Sequence, residues 1–336
     1  MQSELAFIDR LRARASGEAR QNPDLGCGIG DDAAVLRLAA NSETLVTVDL
    51  LVEDVDFKLE YTPPRWLGHK ALAVSLSDIA AMGGRPRFSL LSLGIPRACG
   101  EGFWEDFFDG YFALAGQHGV TLIGGDTSSA PESLAIDSIV LGECPRGAAV
   151  LRGGARVGDD IYITGSIGAS TAGLRLLLGG KRVGTGEDDL TEQALRRHLR
   201  PEARVEFGRR IGEERLAHAM IDVSDGLAQD LTHICAESGV TGEIYASSVP
   251  VARELSLVEG DAERAFELAV RGGEDFELLF TAAGAKEKEL VKLAAECGIV
   301  VTRIGKVIEQ GDSALRLRRN GESIPFASRG FDHFAR

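Results

Sequence analysis

Strand-length and helix-length segments alternate along this chain from one end to the other, which restricts it to a layered α/β or α+β architecture. The clearest strand signal is residues 44–51, TLVTVDLL. That run is almost wholly apolar or β-branched, the composition of a strand covered on both faces. Pro63 and Pro64 then open a helix in the favoured first turn, and it runs to Met82 and stops at Gly83-Gly84. Further strands are expected at 33–38, 88–95, 120–123, 134–142, 161–164, 219–223, 243–246, 278–281 and 300–307. Helices are expected near 3–19, 102–118, 170–178, 191–197, 201–213, 226–237, 261–270 and 286–297. Composition shifts over 143–158, so two domains are expected, 1–145 and 146–336. A chain of 336 residues, 44% of them hydrophobic, has enough apolar material for both cores.

Charge and cysteine usage exclude several classes. The formal net charge is -14, and a surface that acidic repels nucleic acid and anionic membranes. It does not exclude a nucleotide, because bound cations reverse the local sign. No apolar run is long enough to span a bilayer, and the first twenty residues mix acidic and basic side chains without an apolar core, unlike a signal peptide. Cys27, Cys99, Cys144, Cys235 and Cys297 are odd in number and widely spaced. That pattern fits reduced thiols in a cytoplasm and no structural zinc.

The phosphate-binding motif GxxxxGK[ST], the protein-kinase signatures and the GxSxG elbow are all missing. Glycines of the turn at 165–170 sit between a strand and a helix, where backbone N–H groups either receive a phosphate or simply make a tight turn. The chemistry rests instead on aspartates. Asp31 and Asp32 lie in a glycine-rich turn, and Asp49 interrupts the apolar run 44–51. Asp78 falls on the helix stripe of Ala71, Val74 and Met82, where a carboxylate needs a cation or several hydrogen bonds. Asp126 follows Gly124-Gly125 at the expected end of a strand. Asp222 and Asp225 flank Ser224 before a helix, where a capping role for Ser224 or Asp225 competes with metal binding. Gly272-Gly-Glu-Asp-Phe-Glu277 places three acids in one turn, either an exposed acidic loop or a site. Hard oxygen donors without a cysteine or histidine cluster point to Mg²⁺ and, through it, to phosphate groups.

Taken in order, the motifs form a pattern. GIGDDAAV (28–35), TVDLLVE (47–53), KALAVSLSDIAAMG (70–83), IGGDT (123–127), TGSIG (164–168), IDVSDGL (221–227), GGEDFEL (272–278) and the closing GFDHF (330–334) cover nearly the whole chain. It closely resembles the thiamine-monophosphate kinase family, of the aminoimidazole ribonucleotide synthetase-like superfamily. That resemblance implies two α/β domains with the active site between them, N-terminal sheets pairing across a homodimer, and cytoplasmic Mg²⁺-dependent transfer of the ATP γ-phosphate to thiamine monophosphate. It implies metal-site roles for Asp32, Thr47, Val48 (through its backbone carbonyl), Asp49, Asp78, Asp126, Asp222 and Asp225. Gly125, Asp126, Arg152 and Ser224 correspond to nucleotide contacts. Asp56, Glu274 or Asp275, and Phe331 correspond to substrate contacts, Asp56 standing where many members have histidine.

The neighbouring activities in this superfamily are those of the purine-pathway synthetases, the selenophosphate synthetases and the hydrogenase-maturation dehydratases, and the GGEDFE cluster (272–277) favours the thiamine enzymes over them. Selenophosphate synthetases typically carry a reactive cysteine near the N-terminus in a context that Cys27 lacks, and the hydrogenase-maturation dehydratases end in a cysteine where this chain ends in Arg336. A non-catalytic nucleotide-binding protein on the same fold is expected to lack the aspartates that are present here.

Overall fold

A computed structural model describes residues 4–29, 33–186 and 188–327. The chain divides into two compact units, one made of Met1–Ile79 and Gly84–Gly147, the other of Ala80–Gly83 and Ala148–Arg336. Both mix helices with sheet, the α/β class expected from the alternation of segments.

In chain order the first unit carries α1 (Glu4–Gln21), β1 (Leu25–Cys27), β2 (Val35–Leu36), β3 (Ser42–Val52), α2 (Pro64–Ala81), β4 (Arg85–Ile95), α3 (Glu101–His118), β5 (Thr121–Ser129) and β6 (Ala135–Pro145). Its main sheet has the order β3-β6-β4-β5. The β4–β5 pair is parallel, and the β3–β6 and β4–β6 pairs are antiparallel.

The two-residue period of β3 turns Leu45, Thr47, Asp49 and Leu51 to one face and Val46, Val48 and Leu50 to the other. Helices α2 and α3 reach the first face through Ser75 to Asp49 and Tyr111 to Ser89. On the second face Val46, Val48 and Leu50 are 63%, 60% and 60% exposed. The expectation of a strand covered on both faces therefore holds on one face only, because composition alone does not reveal which face the helices occupy.

Helix α2 is buried around nearly its whole circumference, with Leu67, Ala71, Leu72 and Leu76 inaccessible. An apolar stripe is thus not what singles out Asp78. From Leu67 to Ala81 it is the one residue that is not buried. Strand β5 also differs from expectation. It does not stop at Gly124-Gly125 but continues to Ser129, pairing Gly125 with Leu91 and Asp126 with Ser92 beyond an irregularity at Ser89/Leu90.

The second unit carries β7 (Asp160–Thr164), α4 (Ala169–Leu178), α5 (Asp189–Leu199), α6 (Val205–Glu213), β8 (Ala219–Asp222), α7 (Leu227–Ser238), β9 (Thr241–Tyr245), α8 (Ala262–Arg271), β10 (Leu278–Ala282), α9 (Glu287–Glu296), β11 (Val301–Ile308), β12 (Leu315–Arg319) and β13 (Glu322–Pro325). They build a seven-stranded sheet of order β13-β12-β9-β11-β7-β10-β8. Every residue of β7, β8 and β10 is buried, which is why these three read as continuous apolar runs. Ile161, Ile163, Ile221, Leu231, Ile234 and Leu279 lie in its core. Strands β12 and β13 were not expected. In β12 (LRLRR) the buried Leu315 and Leu317 alternate with arginines, so charge masks a short two-residue period.

Candidate functional site

The sequence brings a group of carboxylates together in the first unit. Asp49 on β3 accepts a hydrogen bond from the Ser75 hydroxyl at 2.6 Å. Two residues back along β3, on the same face, the Thr47 hydroxyl donates to Asp78 on α2. Burial, and then the charge of Asp78, push the Asp49 carboxyl up to about 7, while the Ser75 bond works in the opposite direction. Asp137 of β6 adds to that upward push. Its Oδ1 is a buried oxygen without a hydrogen-bond partner.

Asp137 lies opposite Ser92 in the β4–β6 ladder, and Ser92 lies opposite Asp126 in the β4–β5 ladder. Asp126 and Asp137 share the wall of a cavity of about 200 Å³ with Ser92 and Leu50. Gly125 permits this arrangement. Its φ is 151°, and a Cβ there would lie 1.9 Å from the Leu91 carbonyl oxygen, so only glycine lets β5 approach β4 this closely.

The second unit holds its carboxylates on the loop between β8 and α7. Asp222 ends β8 and is 3% exposed. Helix α7 starts after Gly226, and no side chain at that position caps it. The capping role considered for Ser224 or Asp225 is therefore not seen. Asp230, one turn into the helix, reaches back instead, and its Oδ2 accepts the backbone N–H groups of Asp225 at 3.2 Å and Gly226 at 3.1 Å. Burial, then Asp222 and Asp225, push the Asp230 carboxyl up to about 8. Ligand atoms of Asp225, Asp230 and His233 lie within 4.8 Å of one another, the one such set among the described residues. In the first unit no three described His, Cys, Asp or Glu side chains close to that distance.

Gly272–Glu277 is not an exposed acidic loop. Its backbone is tied to the Asp222–Asp225 loop, with Glu274 N–H donating to Ser224 O at 2.8 Å and Phe276 N–H to Val223 O at 2.9 Å. Gly273 is required for that approach, because a Cβ would stand 2.3 Å from Ser224 O. Glu277 is inaccessible and accepts from Arg197, Arg204 and Thr164. Asp275 is 3% exposed, and its oxygens accept the N–H groups of Gly168 at 2.6 Å and Ser170 at 3.1 Å. Those donors belong to the turn read as a phosphate loop. A protein carboxylate already occupies the start of α4, which favours the tight turn over the phosphate loop, the two alternatives for this segment.

The remaining sequence-derived residues fall as follows. Asp32 and Phe331 lie outside the described residues. The Val48 side chain points to the open face of the sheet, so only its backbone is available to a ligand. Asp56 is turned into its own loop, where Oδ2 accepts Val52 N–H at 2.8 Å. Arg152 is exposed, and its carbonyl receives the Ser238 hydroxyl.

The donors are hard oxygens in the first unit, with mutual carboxylate repulsion and one orphaned buried oxygen, and two carboxylates with one imidazole in the second. The first set fits a hard divalent cation. Sequence reasoning marked Ser75 only as a polar neighbour of Asp78 and missed Asp137 and Asp230. Only Asp230 had a legible signal, an acid one turn into a helix whose start is glycine.

Comparison with known proteins gives the family. Residues 30–144 match the model of the AIR synthase related protein, N-terminal domain, and residues 156–318 that of the C-terminal domain. Thiamine-monophosphate kinase of Bacillus subtilis is 40% identical over 307 residues, covering 91% of this chain and 93% of its own. The crystal structure of thiamine-monophosphate kinase from Stenotrophomonas maltophilia aligns with a TM-score of 0.84 at 40% identity, covering 93% of this chain and 96% of its own. A structure described as AaThiL complexed with AMPPCP and TMP aligns with a TM-score of 0.77 at 32% identity, covering 98% and 97%.

Proposed function

This chain belongs to the AIR synthase related family and, within it, to the thiamine-monophosphate kinases, and from that premise we propose how its residues carry out the transfer. It is an ATP-dependent phosphotransferase that converts thiamine monophosphate to thiamine diphosphate, with ADP as the other product.

The observation that carries the residue-level reading is the Asp49–Asp78 pair, two carboxylates held near each other by Ser75 and Thr47 with the Asp49 carboxyl pushed up to about 7. Such a pair is stable as dianion only beside a cation. Asp32, Thr47, the Val48 carbonyl, Asp49, Asp78 and Asp126 are the Mg²⁺-site residues of the first unit, with Asp222 and Asp225 those of the second. Bound Mg²⁺ supplies neutralisation of the phosphoryl charge that develops during transfer. Gly125 and Asp126, Arg152 and Ser224 contact the nucleotide, Arg152 through a guanidinium able to hold two phosphate oxygens.

For the acceptor, Glu274 is favoured over Asp275. Asp275 is engaged at the start of α4, whereas the Glu274 side chain is 30% exposed. A carboxylate suits the cationic thiazolium, and Phe331 is the residue for stacking. Asp56 serves its own loop, so its part in the acceptor site is the least supported of the set. The attacking group is a phosphate oxygen, already ionised at neutral pH. The chain therefore needs to orient it and balance its charge, and requires no general base.

A second copy of the chain is the proposed partner of the open face formed by Val46, Val48 and Leu50 with Ile139 and Leu141 across the β3–β6 pair. Among the described residues no helix is long and apolar enough to cross a membrane, in keeping with the proposed cytoplasmic location.

The deciding experiment incubates purified protein with ATP, Mg²⁺ and thiamine monophosphate and follows thiamine diphosphate by chromatography. Nucleotide binding without product would overturn the catalytic reading. A labelled phosphoprotein formed from ATP alone and chased into product would replace direct transfer by a two-step route.

A further inference from the structure

The acidic turn Gly272–Glu277 sends its three carboxylates to three different places. Glu277 is neutralised by Arg197 and Arg204, and Asp275 is bound to the backbone at the start of α4. Both are hidden from solvent. Glu274 differs. Its backbone is left-handed, with φ of 62°, a conformation that is strained for a non-glycine residue and persists only when the surroundings enforce it. The hydrogen bond from Glu274 N–H to Ser224 O is part of that enforcement. Glu274 Oε2 lies 3.1 Å from Nδ1 of His198, the residue next to Arg197 on α5. The same Nδ1 is 3.0 Å from Ser170 Oγ. The His198 side chain is 5% exposed and that of Glu274 is 30% exposed, so the imidazole stands behind a carboxylate that faces outward. An ionised carboxylate only accepts hydrogen bonds, so His198 engages Glu274 in the tautomer whose proton sits on Nδ1, with the Ser170 hydroxyl beside the same nitrogen.

We propose that His198 is a positioning residue that fixes the Glu274 carboxylate for the fixed positive charge of the acceptor ring, and thereby sets the preference for a cationic substrate. This rests on the reading of Glu274 as the acceptor contact. A quaternary ring nitrogen offers no N–H to recognise, so attraction depends on how near the carboxylate is held and how much water is kept away. A glutamate without an anchor turns to solvent and loses that attraction. One charge-assisted hydrogen bond sets the scale, on the order of a tenfold change in binding.

The test compares thiamine monophosphate with a neutral isostere in which a thiophene replaces the thiazolium. His198→Ala is expected to raise KM for thiamine monophosphate roughly tenfold, with KM for ATP and KM or Ki for the isostere unchanged. His198→Asn, which keeps a donor near the Nδ1 position, is expected to restore most of the loss. In the Glu274→Gln background, His198→Ala should add nothing. An equal rise in KM for both acceptors, or a rise for ATP, would assign His198 a purely structural role and overturn the proposal. If Glu274→Gln itself leaves KM for thiamine monophosphate unaltered, it is the reading of Glu274 that fails. Ring ¹⁵N shifts of His198 in the wild-type protein provide a test without any variant at that position. A protonated Nδ1 whose shift responds to Glu274→Gln supports the contact, and an Nε2–H tautomer indifferent to it refutes the contact.

Discussion

Ser75 reaches from α2 to β3 and donates its hydroxyl to Asp49 Oδ2 at 2.6 Å, while Ser75 Oγ also lies 3.2 Å from the Ser138 carbonyl oxygen. Ser75 is inaccessible to solvent. Its bond lowers the Asp49 carboxyl against burial and Asp78, so it helps keep Asp49 available as an anionic ligand. Ser75→Ala is expected to shift the Mg²⁺ dependence of initial rates to concentrations several-fold higher, and Asp49→Asn to abolish turnover. The melting temperature of Asp49→Asn should not fall, because the amide removes repulsion from Asp78. Mg²⁺ titration of rates, with a thermal melt of each variant, checks both, and an unaltered Mg²⁺ midpoint in Ser75→Ala would exclude the serine from the site.

Glu277 is the electrostatic centre of the acidic turn. It accepts from Arg204 Nε at 2.7 Å, from Arg197 Nη2 at 2.7 Å and from the Thr164 hydroxyl at 2.6 Å. Burial raises its carboxyl, but Arg204 and Arg197 together prevail and hold it below the usual range. Glu277→Gln leaves two guanidinium groups without their counter-charge and is expected to cost about 3–5 kcal/mol, read from urea unfolding. A loss under about 1 kcal/mol would mean that water reaches the arginines.

Asp275 gives a pH signature of opposite sign. Burial pushes its carboxyl up to about 7 despite the two N–H bonds and Arg197. A carboxyl raised on folding stabilises the native state fully below its unfolded pKa, near 4, and that contribution is lost as pH rises through 7. The stability advantage of the wild-type protein over Asp275→Asn should therefore be larger at pH 5 than at pH 8. Chemical denaturation at the two pH values measures it, and a gap that widens with pH would show that the helix start, not burial, governs this residue.

The open face of the first unit predicts self-association. Val48→Asp places a charge among Val46, Leu50 and Ile139 without touching the face that carries Asp49. Sedimentation should show a dimer for the wild-type chain and a monomer, or a dimer weakened at least tenfold, for the variant. A wild-type monomer at micromolar concentration would leave that face without a second copy.

Much of the architecture was legible because buried strands and helices advertise themselves by composition. The runs at 161–164, 219–223 and 278–281 became β7, β8 and β10, each buried throughout. Asp49 and Asp78 were legible as acids in apolar company, and the structure brings them together. What escaped notice depended on neighbours far away in the chain. Ser75 gains its meaning only when α2 sets it against Asp49, Asp137 only when register sets it across from Leu50 and Ser92, and His198 only when Glu274 is placed against it 76 positions later (274 − 198). β12 escaped because its arginines outweigh two leucines. Gly124-Gly125 suggested a strand end, whereas the pair marks close approach of β5 to β4.

Strand β3 presents carboxylate and hydroxyl to one side and three apolar side chains to the other, residue by residue. A strand so divided can absorb many single replacements, since each alters one position on one side. It cannot absorb the gain or loss of one residue. Such a change would exchange the two sides at every position beyond it, sending Asp49 outward and Val48 inward in a single step. Relatives of this chain should therefore differ along β3 by substitution and keep its length from Ser42 to Asp49 invariant, with insertions confined to the turns that flank it.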